Sequence, residues 1–77
     1  MSAAASAQVV AELMESNPQF RKLKRKHADY ERRLSELGAR RFPTYEEQLE
    51  EARLKKLKLN LKDRMASIVH RHVGRTG

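Results

Sequence analysis

Two lines of apolar residues, each stepping by three and four, run through this chain on either side of a break at residues 38–44. The first is Phe20, Leu23, His27, Tyr30, Leu34 and Leu37, and the second is Leu54, Leu57, Leu61, Met65, Ile68 and His72. Such steps keep side chains along one side of an α-helix, and an apolar stripe of that kind is there to be covered by another helix. The pattern predicts an all-α chain. Its core would be an antiparallel two-helix hairpin with a coiled-coil-like seam, preceded by a short extra N-terminal helix.

Local signals place the boundaries. Residues 1–6 are small and uncharged and are expected to form a flexible tail. A short helix is expected over residues 7–15, with Val9, Val10, Leu13 and Met14 on one side, until Ser16-Asn17-Pro18 interrupts it. Asn17 is a good N-cap and Pro18 fits the first helical position, so a long helix should run over 18–37, with Gly38 at a left-handed C-cap. Pairs four apart (Arg25 and Asp29, Asp29 and Arg33, Arg32 and Glu36) would support it. The connection through Phe42 and Pro43 is short, as antiparallel neighbours require. Thr44-Tyr45-Glu46-Glu47 has the spacing of a capping box, and Glu46, Glu47, Glu50 and Glu51 put negative charge where the helix dipole is positive. That helix should cover 44–72 and close a single domain over 7–73, leaving 74–77 as a flexible tail.

The second long helix carries another line. Ala52, Leu59, Ala66 and Val73 recur every seven residues, roughly 140° around the helix from the seam, so one partner helix cannot cover both. Leu59 is either an ordinary exposed leucine or part of a second interface, which takes either the short helix bearing Val9, Val10, Leu13 and Met14 or another copy; the candidate external surface is then Val9, Val10, Leu13, Met14, Ala52, Leu59, Ala66 and Val73.

Size and composition sharpen this picture. A single seam in 77 residues is a thin core, for which self-association or a partner is the usual remedy. With 35% charged residues, 39% hydrophobic ones and no cysteine, a long-helix protein without disulfides or thiolate metal sites is expected. No apolar run reaches the ~20 residues of a membrane span and the start lacks a signal-peptide pattern, so a cytoplasmic protein is expected. The net charge of +7 favours polyanionic or acidic partners. Its carriers crowd two runs: Arg21, Lys22, Lys24, Arg25 and Lys26, then Lys55, Lys56, Lys58, Lys62 and Arg64. Each run is spread around its helix, more like a solvated coat than a focused groove, and the aromatics Phe20 and Tyr30 are spent in the seam.

Candidate chemistry is sparse. His70 and His72 are two apart and diverge on a helix, a poor chelate, while His27 among Leu23, Tyr30 and Leu34 reads as a core-edge histidine bonding across the hairpin. The glutamates cluster in a first helical turn, where capping explains them, and no phosphate-cradling glycine loop exists. Neither an enzyme nor a cofactor, metal or small-molecule site is expected.

Asn17-Pro18-x-Phe20-x-x-Leu23-x-x-x-His27, together with Leu54-Lys55-Lys56-Leu57-Lys58-Leu59-Asn60-Leu61-Lys62-Asp63, resembles the YdcH-like small bacterial proteins. The resemblance covers about residues 15–69 and is most specific at Lys58-Leu59-x-Leu61-Lys62-Asp63. It implies a bacterial, cytoplasmic helical hairpin with no established activity. Leu57 and Arg64 stand where acidic residues are expected in typical members, which makes this chain more basic and apolar. A non-catalytic association module is therefore expected, its partner a second copy (dimer or higher homo-oligomer) or an acidic protein. The competing expectation is a small RNA- or ribosome-associated protein contacting phosphates. An anionic membrane surface would call for bulkier aromatics on the amphipathic face.

Overall fold

The structure, a computed structural model, describes the backbone of residues 3–76 and the side chains of residues 7–74. These residues form three helices and no strand: α1 (Ala3–Ser16), α2 (Pro18–Gly38) and α3 (Tyr45–Thr76). The two expected tails are shorter than the composition suggested. Residues 3–6 continue α1, because their alanines are strong helix formers. At the other end α3 continues past Gly74, where a Cβ would meet no packed neighbour within 4 Å. Met1, Ser2 and Gly77 lie outside the described residues.

The helix starts follow local chemistry. The Asn17 side chain accepts the Phe20 amide at 3.0 Å, with Pro18 in the first turn behind it. Thr44 and Glu47 cap α3 reciprocally: the Glu47 amide donates to Thr44 Oγ1 at 3.1 Å, and the Thr44 amide donates to Glu47 Oε1 at 2.8 Å. The end of α2 differs from the expected left-handed glycine cap. Gly38 stays helical and Ala39 caps the helix in the right-handed region (φ −80°), its amide donating to Ser35 O at 3.1 Å. The helix simply tightens over its last carbonyls, so no residue has to take a positive φ.

Packing builds one core from all three helices. Leu13, Phe20, Leu23, Leu61 and Ile68 form its buried cluster, with Val9, Val10, Met14, Tyr30, Met65 and Val69 packed against it. Leu37 and Leu54 are buried nearer the α2–α3 connection. On α3, Leu54, Lys58, Leu61, Met65, Ile68 and His72 are each buried or half-buried and step by four and three, with half-buried Val69 beside the line and half-buried Glu47, Glu50 and Glu51 before it. Leu57, expected in the seam, is 40% exposed, and Lys58 takes its place. Between Leu54 and Leu61 the chain can step three-then-four or four-then-three, and α2 covers the second. Lys58 can occupy such a position by laying its methylenes along the core edge while its ammonium reaches water.

Local ion pairs also differ from those expected. Arg32 meets Asp29, three residues back, rather than Glu36. Arg33 turns to Glu36 at 3.2 Å and to Glu50 of α3 at 2.8 Å, rather than to Asp29.

Candidate association surfaces

The second surface suggested by periodicity divides into two parts. Leu13 is not available to an outside partner: at 3% exposure it is in the core, and Val9, Val10 and Met14 are half-buried around it. The helix α1 is docked because the seam of α2 and α3 leaves Phe20 and Ile68 to be covered at the end remote from their connection. Arg21 secures that docking by donating from Nη1 to the Met14 carbonyl at 2.8 Å and the Glu15 carbonyl at 3.1 Å, the orphan acceptors at the α1 C-terminus. His72 Nε2 lies 3.0 Å from Glu12 Oε1, tying α1 to α3 across 60 residues of sequence. Spacing alone offered no sign of this pair.

Ala52, Leu59, Ala66 and Val73 are all exposed, Leu59 at 59%. Leu49 and Tyr45 extend the same face toward the connection, at 49% and 73% exposure, and Phe42 beyond them is 86% exposed. These three were absent from the sequence-derived surface. Tyr45 was nevertheless legible, standing one heptad before Ala52. An apolar groove of about 500 Å³ lies beside this face, with Val10, Phe20, Met65 and Val69 as its walls and Lys24, Lys62 and His70 at its rim.

The basic candidates separate by environment. Lys22, Lys24, Arg25, Lys26, Lys55, Lys56, Lys62 and Arg64 are exposed, whereas Arg21 and Lys58 are half-buried and Arg21 is occupied at the end of α1. Two carboxylates of the first turns of α3 are engaged: Glu50 with Arg33, and Glu47 with Thr44 and Arg40 (Nε–Oε2 3.0 Å). Hydrogen bonds to Glu50 and Glu36 raise the Arg33 pKa further above its ordinary range. The Thr44 amide, with the nearby Arg40 charge, holds Glu47 below the usual carboxylate range, and the hydrogen bonds from Arg33 do the same to Glu50. His27 lies at the core edge but faces Glu31 of its own helix (Nδ1–Oε1 3.3 Å), rather than a group across the seam, because that carboxylate sits one turn away. Among the described residues no three His, Cys, Asp or Glu side chains converge as a metal site, and no helix is long and apolar enough to cross a membrane.

Residues 20–69 match the family described as protein of unknown function (DUF465). The chain belongs to the DUF465 family. The matched stretch runs from the buried Phe20 to Val69 and so takes in nearly all of α2, the connection and most of α3. It agrees with the YdcH-like resemblance carried by Phe20, Leu23, His27 and the Lys58–Asp63 element. The α1 helix of this DUF465 protein, with Leu13 in the core, lies outside the match. No curated protein and no solved structure matches the chain.

Proposed function

We propose that α2 and α3 form an antiparallel hairpin, clamped at its open end by α1, that works as a non-catalytic association module in the cytoplasm. Self-association is the reading favoured here. One observation carries it: with α1 already folded into the core, the face of α3 bearing Leu49, Leu59 and Val73 still faces water. In so small a protein an exposed apolar line along one helix is a candidate contact surface. Light scattering at about 50 mM and about 500 mM salt tests the reading. The expected mass is that of a dimer or a larger assembly at both, and a monomer at both would overturn it.

A second reading, contact with RNA phosphates, is favoured by the lysines. Lys22, Lys24, Lys26, Lys55, Lys56 and Lys62 are exposed and form no ion pair among the described residues. It predicts RNA binding that weakens steeply as salt rises, by about one counterion's slope per neutralised phosphate. Absence of binding at low salt would remove it.

A further inference from the structure

The outer face of α3 mirrors itself about its own middle. Ala52 and Ala66 each stand seven residues from Leu59, and Tyr45 and Val73 each stand fourteen. All five are exposed. Turned end for end about Leu59, such a face sets Ala52 against Ala66 and Tyr45 against Val73, and a two-fold contact repeats each of these pairs. We propose that two copies of this chain pair through this face, with their α3 helices antiparallel and Leu59 at the two-fold axis. The proposal rests on the self-association reading and specifies its geometry.

Shape supports this register. Ala52 of one copy falls opposite Ala66 of the other, so the small residues on either side of the central Leu59 pair leave room for it between the two helices. Above Ala66 the surface has a depression of about 600 Å³ lined by Asp63, Ala66, Ser67, His70 and Arg71. The first four stand at i, i+3, i+4 and i+7, the spacing of the four-residue socket that receives a side chain from a facing helix. The antiparallel register brings Leu49 and Ala52 of the second copy over this socket.

Charge supplies one complementary contact in this register. Asp63 is the one carboxylate after Glu51, and end-for-end pairing sets it opposite Lys55 and Lys56 of the second copy, twice by symmetry. Lys55 and Lys62 do approach each other along one flank, and each copy carries +7, so salt should tighten this dimer. RNA binding predicts the reverse.

A chain without cysteine makes the geometry directly testable. Leu59→Cys should cross-link to itself under mild oxidation. Ala52→Cys alone and Ala66→Cys alone should not, because their thiols would lie about 21 Å apart along the axis. A mixture of Ala52→Cys with a size-tagged Ala66→Cys should link, since a disulfide needs Cα atoms within about 7 Å. Leu59→Glu should raise the dimer dissociation constant by about tenfold or more with helicity unchanged, as expected for an anchor at the centre of an interface. A dimer in which Ala52→Cys links to itself is parallel, and a dimer in which no variant links uses another face. Either result overturns this geometry and leaves self-association standing. A monomer at every salt concentration overturns both, and titration with an acidic peptide and with RNA would then show which occupies the face.

Discussion

Arg33 and Glu50, seventeen residues apart in the chain, meet fork to fork: Nε donates to Oε2 at 2.8 Å and Nη2 to Oε1 at 2.9 Å. The same guanidinium donates through Nη1 to Glu36 Oε1 at 3.2 Å, so one side chain joins a carboxylate of its own helix to one of the next. Both ends of the pair are partly exposed, 43% and 36%, which limits what it adds to stability. Its planar, two-point geometry does set how α2 and α3 align beside their connection, a task a lysine could not perform in the same way.

Acid should loosen this end of the molecule first. Glu50 and Glu47 have folded pKa values below the ordinary carboxylate value, the first through Arg33 and the second through Thr44 and Arg40. A depressed folded pKa contributes stability that is present above the unfolded pKa and is lost as pH falls through the folded one. The thermal midpoint followed by circular dichroism should therefore be flat from pH 7 to about pH 5 and decline below about pH 4. A Glu47→Gln, Glu50→Gln double variant should start lower and decline less. A midpoint indifferent to pH down to about pH 2 would refute the assignment.

Leu57 and Leu61 should behave as residues of different kinds, although both belong to the same apolar line in the sequence. Leu61 is 7% exposed within the core cluster, and Leu61→Ala should cost about 2–5 kcal/mol. Leu57 is 40% exposed, and Leu57→Lys should change stability by no more than about 0.5 kcal/mol. Urea denaturation distinguishes them. Similar losses in both variants would return Leu57 to the seam.

The α1 helix should detach when its buried anchor Leu13 is shortened. Fourteen residues are too few for a stable isolated helix in water. Removing the buried side chain in Leu13→Ala should thus release the backbone amides of α1 to fast hydrogen exchange while those around Leu23 and Leu61 stay protected. Arg21→Ala, which uncaps the Met14 and Glu15 carbonyls, should act in the same direction and less strongly. Protection of α1 that survives Leu13→Ala would mean that the docking depends on other contacts.

Much of the helical layout was legible because its causes lie within three or four residues of each other. Asn17-Pro18 starts α2, and Thr44 with Glu47 starts α3, through hydrogen bonds that close locally. The exposed line through Ala52, Leu59, Ala66 and Val73 could be drawn from heptad spacing, as could its extension to Tyr45. Leu49 and Phe42 were harder to see, since their exposure depends on what α2 leaves uncovered.

The sequence by itself determined where α2 and α3 begin, which residue types stripe them, and the absence of cysteine chemistry, because propensity, capping and period act along the chain. Tertiary structure alone decided that Lys58 rather than Leu57 sits at the seam, since that depends on the rotation of α3 against α2. It decided that Leu13 is core and not surface, and it brought together Arg33 with Glu50 and Glu12 with His72. Those pairs are 17 and 60 residues apart, and no local preference acts across such distances until the helices have packed.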